Sequence, residues 1–319
     1  MKTKLTETKF KSALGLVGQL FSRVACLGAV IFICSSASAQ YLFVSGFGCS
    51  GEIPDPPACG KIFYFTSEGQ QHIFYSGFNY PGDLTVGVGG YVFVVECDPC
   101  WTPHPGHAIY KVLGYGWATR FAFGLPNSPL YLAADRTGNL FVADYDGGII
   151  YKYTPSGSRS IFASGLYHPT GMAFDSAGKL FVADNSMGNI YQGSIYAYKP
   201  NGLRVTFAVL DPSDRPADLA FDSMGNLFMA DLGGNIYKYD LHGVRTTFGS
   251  VPNSAQSLAC DSAGNLLVVD AGDVSGSGTA VPNAIYKFTQ QGVRSAFTPA
   301  QPLGETFACL AFQPIPCCQ

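Results

Sequence analysis

The chain has 319 residues, and only 13% of them are charged, against roughly 25% in an average domain. Its formal charge is −3. Residues 1–39 hold five basic residues and one acidic residue, so the remainder has 14 basic and 21 acidic residues and a formal charge of −7. A domain this acidic is unsuited to a phosphate backbone, so we expect no nucleic-acid partner.

The first 39 residues predict a cleaved export signal. Basic residues precede an apolar stretch from Val24 to Cys34, and Ala37-Ser38-Ala39 forms an A-x-A cleavage site. The apolar stretch is too short for a membrane span, and no later stretch is long enough. We therefore expect a mature chain, residues 40–319, that is secreted or located in the periplasm or cell envelope, with no transmembrane segment after signal cleavage.

One hairpin pattern then recurs six times. An Ile precedes a Gly by seven residues, and a Phe follows that Gly by five. The copies are KIFYFTSEGQQHIF, AIYKVLGYGWATRF, IIYKYTPSGSRSIF, SIYAYKPNGLRVTF, NIYKYDLHGVRTTF and AIYKFTQQGVRSAF. Six copies of one supersecondary unit indicate a repeat protein.

Each full unit contains two further strand-like runs, joined by a turn such as DSAGK at 175–179 or DSMGN at 222–226. The turn Asp can hydrogen-bond the backbone of its own turn, and the Gly supplies a positive φ, so we interpret these Asp residues as structural. Four antiparallel strands repeated six times, at intervals of 41 to 49 residues, predict an all-β, six-bladed β-propeller.

The repeats place the blades at about residues 41–80, 81–127, 128–167, 168–213, 214–252 and 253–301. Blade one lacks its first strand. The segment CLAFQP, Cys309–Pro314, is a seventh copy of that strand. We expect a closing strand at 306–314 to complete blade one, giving one monomeric domain.

The phrases GMAFDSAGKLFVADNSMGNIY and LAFDSMGNLFMADLGGNIYKYD resemble the NHL-repeat and gluconolactonase-like (senescence-marker-protein-like) six-bladed propellers. The resemblance covers residues 41–314 and implies the architecture. It leaves the activity open, because that superfamily includes lactonases, hydrolases, lyases and binding modules.

The loops from the second to the third strand of each blade vary in length, which is typical of a binding face. The three longest, at 46–60, 96–107 and 270–283, belong to neighbouring blades once the ring closes. We call these three loops the crest. We predict that a small molecule, glycan or protein binds the crest or the adjacent channel mouth. The ligand-binding candidates are Asp83, Glu96, Trp101, His168, Asp218, Asp273 and Glu305.

The crest also carries potential metal ligands. Cys97, Cys100, His104 and His107 are spaced closely enough to hold zinc or copper, and Asp270 with Asp273 is a weak calcium candidate. Calcium and zinc are therefore the candidate divalent cofactors. The alternative for the cysteines is disulfide bonding, which an even number of cysteines in an exported chain favours. The disulfide candidates are Cys49, Cys59, Cys97, Cys100, Cys260 and Cys309.

The resemblance implies two enzymatic alternatives at the channel mouth. Gluconolactonase-like enzymes hold a divalent metal with acidic and Asn side chains at the start of the innermost strands. Here only Asp83 and Asp218 are carboxylates at matching positions, and they could instead accept bonds from backbone N–H groups. Streptogramin lyases use a mouth His and Glu, and here His168 lacks a matching Glu.

Acids also end the second strand of several blades, where their repetition favours capping of the loop backbone over ligand binding. They are Glu96, Asp144, Asp184, Asp231 and Asp270. The leading hypothesis is therefore a binding module rather than an enzyme. The alternatives are a metal-dependent lactonase or hydrolase, a streptogramin-lyase-like enzyme, and a structural module of the cell envelope.

Overall fold

The computed structural model describes residues 41–47, 60–78, 81–96, 107–114, 116–125, 129–185, 193–271, 283–298 and 306–312. Within these ranges there are 24 β-strands and no helix. No helix in this part of the chain is long and apolar enough to cross a membrane.

In chain order, the strands are β1 (Leu42–Phe47), β2 (Gly60–Phe65), β3 (Gln71–Phe78), β4 (Pro81–Val86), β5 (Val92–Glu96), β6 (Ala108–Gly114), β7 (Trp117–Phe123), β8 (Pro129–Ala134), β9 (Leu140–Asp144), β10 (Ile149–Tyr153), β11 (Arg159–Ser164), β12 (Pro169–Phe174), β13 (Leu180–Asp184), β14 (Ser194–Tyr198), β15 (Arg204–Val209), β16 (Pro216–Phe221), β17 (Leu227–Asp231), β18 (Asn235–Tyr239), β19 (Arg245–Ser250), β20 (Ala255–Cys260), β21 (Leu266–Asp270), β22 (Ala284–Phe288), β23 (Arg294–Ala296) and β24 (Thr306–Phe312).

These strands form six antiparallel sheets of four strands each, so the predicted six-bladed β-propeller is confirmed. Blade one has the order β24-β1-β2-β3, and the other blades take their strands in sequence. Leu42 pairs with Phe312 and Val44 with Leu310, so the predicted closure of the ring by the C-terminal strand is confirmed as well. The innermost strands β24, β4, β8, β12, β16 and β20 each contact the next one around the axis.

The apolar core is divided among the junctions between blades. Six clusters of buried residues occur in the described chain, and each combines side chains from two neighbouring blades. Blade six and blade one, for example, share a cluster that includes Val44, Leu267 and Leu310. A single four-stranded sheet cannot bury both of its faces, so each blade depends on its neighbours for a core.

The repeated Phe of the hairpin pattern lies within these junctions. Phe207 packs edge-on against Phe181 of the second strand of its own blade, with ring centroids 5.0 Å apart. The same pair recurs at 4.9–5.0 Å in four other blades, as Phe43–Phe74, Phe93–Phe121, Phe141–Phe162 and Phe228–Phe248. Edge-to-face aromatic packing stabilises a pair beyond the area it buries.

The repeated Gly closes the outer hairpin and also allows two blades to approach each other. Gly243 has a φ of +79°, and a Cβ at this position would lie 2.3 Å from the carbonyl oxygen of Phe207 in the preceding blade. The equivalent pairs, at 2.6 to 3.5 Å, are Gly69 with Phe297, Gly157 with Phe121, Gly202 with Phe162 and Gly292 with Phe248. Gly116 differs, because no atom lies within 4 Å of its Cβ position. A Cβ would collide with the carbonyl at residues 69, 243 and 292, whereas 3.5 Å at residues 157 and 202 is an ordinary contact. The pattern therefore encodes close packing at three of the six junctions as well as the hairpin.

The turns between the first and second strands are built as the sequence predicts. In the turn at 175–179, one carboxylate oxygen of Asp175 accepts bonds from the backbone N–H groups of Ala177 (2.9 Å) and Lys179 (2.8 Å). Asp135, Asp222 and Asp261 make the equivalent backbone contacts in their own turns. The structural interpretation of these acids is therefore confirmed.

Candidate functional site

The channel mouth is the end of the ring where the innermost strands begin and the second strands end. Pro169 opens β12 opposite Asp184, the last residue of β13, and Pro216 opens β16 opposite Asp231. Proline suits the first residue of a strand because it has no N–H to leave unpaired. The register shifts within the next few residues of every innermost strand. Such bulges redirect side chains, which makes this level of the ring the place to look for a site.

The acids that end the second strands hold the backbone that leads into the innermost strands. Asp184 accepts bonds from the N–H groups of Tyr167 and His168, both at 2.9 Å. Asp231 accepts from Arg215 (2.5 Å) and from the N–H of its own loop residue 233 at 2.6 Å. Burial raises the pKa of Asp184, and the bonds from the N–H groups of Tyr167 and His168 partly oppose that rise.

Asp144 and Asp270 also hold loop backbone, Asp144 in the loop after its own strand and Asp270 in the segment before β20. Asp144 accepts from the N–H of Gly147 at 2.9 Å, and Asp270 accepts from the N–H of Ser254 at 3.1 Å. All four of these Asp residues are buried, so the predicted capping of the loop backbone is confirmed for them. Glu96 takes the equivalent place in blade two, opposite Pro81.

The two carboxylates at the positions matching a lactonase metal site connect neighbouring blades. One oxygen of Asp83 accepts from the N–H of Leu84 (2.8 Å), and the other accepts from the N–H of Leu132 in the next blade (2.6 Å). Asp218 repeats the arrangement with Leu219 at 2.7 Å and, in the next blade, with Leu258 at 3.0 Å. The sequence-based alternative that these acids satisfy backbone N–H groups is therefore confirmed.

Two neighbouring positions extend this arrangement around the axis. The hydroxyl of Ser257 donates to Asp218 (2.8 Å). The Ser257 Oγ also accepts from the N–H of Leu310 in blade one (3.1 Å). At Gly171 there is no side chain, and a Cβ would lie 2.3 Å from the Cα of Asp218. Neither role is visible in the sequence, since a Ser and a Gly at these positions carry no signal until the register between blades is known.

The environment of Asp218 is restrictive. Burial raises the pKa of this carboxyl to about 6, and the bonds from Leu258, Ser257 and Leu219 oppose part of that rise. A carboxylate held by three donors has little capacity left for another ligand. It is thus part of the joint between blades five and six.

These contacts do not fit a lactonase-type metal centre. Asp83 and Asp218 belong to blades two and five, which lie on opposite sides of a six-bladed ring. A hard cation requires several converging oxygens. Among the described residues, no group of three or more His, Cys, Asp or Glu side chains is arranged to hold a metal ion.

His168 does lie at the mouth, with a local set of partners. Its ring packs against the ring of Tyr145 from blade three, with centroids 4.6 Å apart. Its Nδ1 lies 3.3 Å from the carbonyl oxygen of Asn185. The N–H of Asn185 in turn donates to the carbonyl of His168 (3.0 Å). Neither Tyr145 nor Asn185 could be identified from the sequence, because their proximity to His168 depends on the junction between blades three and four.

Most of the crest candidates lie outside the described residues. They are Cys49, Cys59, Cys97, Cys100, Trp101, His104 and Asp273, and the ligand-binding candidate Glu305 beyond the crest lies outside the described residues as well. His107 is described, and its buried Nδ1 has no hydrogen-bond partner. The metal and disulfide alternatives for the crest therefore remain predictions.

Cys260 departs from the expected disulfide. Its thiol is free, and it packs against the apolar cluster shared by blades five and six. Burial raises the pKa of this thiol, which keeps it protonated and unreactive. Cys309 is the other disulfide candidate on an innermost strand. It lies in β24, at a position whose side chain is not described.

No protein-family model and no curated protein match the chain. A gluconolactonase from Xanthomonas campestris superposes with a TM-score of 0.57 at 15% identity, over 72% of this chain and 78% of that one.

Two lyases superpose in the same way. Virginiamycin B lyase from Staphylococcus aureus has a TM-score of 0.53 at 17% identity, over 70% of this chain and 71% of that one. A streptogramin B lyase has a TM-score of 0.53 at 16% identity, over 82% and 74%. Identities this low show the fold alone. The chain is thus a six-bladed β-propeller whose structural neighbours include gluconolactonases and streptogramin lyases.

Proposed function

We propose that this chain is an exported binding propeller, which takes a ligand at its channel mouth and crest and does not act as a metal-dependent lactonase. The observation that carries the proposal is the use of Asp83 and Asp218 as joints between blades. The two acids that the gluconolactonase resemblance would assign to a metal already accept hydrogen bonds from neighbouring backbone.

Recruiting Asp218 to a cation would also have a large energetic cost. The cation would compete with the N–H of Leu258 and the hydroxyl of Ser257 for the same oxygen. Each buried donor left without a partner costs about 1–3 kcal/mol. A free-energy cost of that size at the centre of the ring would oppose binding of the cation.

Export is supported by the N-terminal sequence and by the low content of charged residues. A basic segment, a short apolar stretch and an A-x-A site precede Gln40. We place the mature protein outside the cytoplasm, either secreted or in the periplasm or cell envelope. Its ligand would be a small molecule, a glycan or another protein.

The test is a titration of residues 40–319 with calcium and with zinc, followed by thermal unfolding, together with an assay of gluconolactone hydrolysis. We expect no saturable shift with calcium and no calcium-dependent hydrolysis. A calcium shift that disappears in both Asp83→Asn and Asp218→Asn, accompanied by hydrolysis, would overturn the proposal.

Zinc has a second candidate site, so its result needs a control. A zinc shift retained in Asp218→Asn and lost in Cys97→Ser would assign the metal to the crest. Such a result is compatible with a binding function at the mouth. A zinc shift with the opposite dependence would count against the proposal.

A second candidate is a lyase that uses His168 at the mouth. It is favoured by the contact of the His168 Nδ1 with a backbone carbonyl, since a ring held in this way presents its other nitrogen as a base. Incubation with a streptogramin B substrate decides between the two functions. We expect no linearised product, whereas turnover by the unmodified chain that is lost in His168→Ala would establish the enzyme.

A further inference from the structure

Arg215 is the one arginine of the described chain whose guanidinium has no partner there. Five others stack on tyrosine rings of the third strands, as Arg120, Arg159, Arg204, Arg245 and Arg294. Arg136 donates to the carbonyl of Ser176 (3.1 Å) on the opposite face. Arg215 is exposed, and only its backbone is engaged: its N–H donates to Asp231, and its carbonyl accepts from the N–H of Leu232. The mouth of this acidic protein therefore presents a guanidinium that is available to a ligand.

The fold places Arg215 beside His168. Each is the residue immediately before the proline that opens an innermost strand, at Pro169 in β12 and Pro216 in β16. These neighbouring strands run in the same direction around the axis. They meet where Gly171 faces Asp218, three residues further along both strands. Three residues of extended strand span roughly 10 Å, so the two residues lie at one level of the mouth.

Two further residues complete this quadrant of the mouth, which we define as Tyr145, His168, Asn185 and Arg215. Tyr145 supports one face of the His168 ring. The Asn185 carbonyl can only accept, so the facing Nδ1 of His168 must carry the proton. The Nε2 of the neutral ring is then an acceptor, suited to a ligand hydroxyl.

Other blades do not repeat this combination. His168 and Arg215 directly precede an innermost strand, and the residue at that position in blade six is Ser254. Tyr145 and Asn185 directly follow a second strand, and the residues at that position are Leu232 in blade five and Ala271 in blade six. The backbone is the same in each case, because Leu232 donates to the carbonyl of Arg215 and Ala271 to that of Ser254, at 2.9 and 3.0 Å. The side chains of the quadrant are therefore not needed to build the backbone of the mouth.

We propose that this quadrant binds a small hydroxylated molecule that carries an oxyanion, such as a sugar acid or a sugar phosphate. Arg215 would bind the oxyanion through a planar, charge-assisted pair of hydrogen bonds. His168 would accept a hydrogen bond from a ligand hydroxyl. The Tyr145–His168 pair would offer an aromatic face to the sugar ring of the ligand. The inference rests on the proposed binding function and names its ligand class.

The experiment is isothermal titration of residues 40–319 at low ionic strength with D-glucuronate, D-glucose 6-phosphate, inorganic phosphate and D-glucose. We expect at least one sugar anion to bind at least tenfold more tightly than D-glucose and than inorganic phosphate. Comparing glucuronate with glucose 6-phosphate identifies whether a carboxylate or a phosphate is the preferred oxyanion.

Variants assign the binding to the quadrant. Arg215→Gln should weaken the sugar anion by about ten- to a hundredfold, the range expected for loss of a charge-assisted pair. Arg136→Gln removes the same charge from the opposite face and should leave the affinity unchanged. Tyr145→Ala should weaken binding several-fold. Thermal unfolding of Arg215→Gln should match the unmodified chain, since the lost side chain is exposed.

Three results would overturn the inference. They are the absence of binding by either sugar anion, equal affinity for glucose or inorganic phosphate, and equal losses in Arg215→Gln and Arg136→Gln. None of these results would support the lactonase alternative, which is tested separately by the calcium titration and the hydrolysis assay. Failure of this ligand class is therefore distinct from failure of the binding function.

Discussion

Neighbouring blades are joined in different ways near the axis and at the rim. Near the axis, the joints are polar side chains, with Asp83 bonded to Leu132 and Asp218 to Leu258 in the next blade. At the rim, the joint is the close approach of a glycine to a carbonyl, as at Gly243 and Phe207. Residues that suggest chemistry thus serve packing, and a residue that suggests a simple turn sets the distance between blades.

The largest effect is expected from removing the strand that closes the ring. Deletion of residues 306–319 takes away β24, exposes the edge of β1 and removes Leu310 from the core cluster of blades six and one. A domain is stable by only about 5–15 kcal/mol, so we expect loss of the cooperative unfolding transition. Deletion of 313–319 alone is the control and should retain it. An unchanged melting temperature after the longer deletion would contradict the closure.

At the rim, Gly243→Ala should be considerably more destabilising than Gly178→Ala. Both glycines have a φ near +78°, which costs an L-residue about 1–2 kcal/mol. A Cβ at residue 243 would also collide with the Phe207 carbonyl, whereas nothing lies within 4 Å at residue 178. The expected losses are about 3–4 and about 1 kcal/mol, measured by urea unfolding. Equal losses would mean that the rim tolerates wider spacing.

At the axis, the effect of Asp218→Asn should depend on pH. The folded pKa of Asp218 is about 6, above the ordinary 3.8. Between these values the folded chain therefore holds more protons than the unfolded chain. The contribution of Asp218 is most favourable below about pH 4 and is lost as the pH rises through 6. Relative to the Asn variant, the unmodified chain should lose about 2–3 kcal/mol over this range.

Asp240 provides the control for that experiment. It lies in an exposed hairpin turn, where the N–H groups of Val244 and His242 lower the pKa of its carboxyl. Its contribution is present above the ordinary pKa and is lost as the pH falls, so Asp240→Asn should change stability in the opposite sense. Parallel pH profiles for the two variants would contradict the assignment at Asp218.

The smallest effect is expected for the exposed arginines at the rim. Arg294 stacks on Tyr286 and also donates to the carbonyl of Ser250 in the preceding blade (2.7 Å). Arg159 makes the equivalent stack on Tyr151. Both substitutions to Gln remove a cation–π contact worth about 0.5–1 kcal/mol. Only Arg294→Gln should lose a further ~0.5 kcal/mol or more by thermal unfolding, and no difference would show that the bond between blades adds nothing.

The sequence predicted the strands, the turns and the closure of the ring because those features are written in local periodicity and in repetition. The capping role of Asp175 and its equivalents follows from residues at most four positions apart. Such short-range geometry is nearly independent of tertiary context.

The joints could not be chosen from sequence because they connect distant residues. Asp83 and Leu132 are 49 residues apart, and Asp218 and Leu258 are 40 apart. Only the register between blades decides whether such a carboxylate faces a ligand or an N–H group. The same limitation hid the partners of His168, although His168 itself was a candidate from the sequence.

The pairing of β1 with β24 has a consequence for biosynthesis. β1 can pair with β24 only after the C-terminal strand has been synthesised. Blade one therefore presents an unpaired edge until residue 312 has emerged. An unpaired edge strand is a template for association with other chains. Synthesis and folding of this propeller are therefore coupled in time, and its period of greatest susceptibility to aggregation lasts until the final strand has been made.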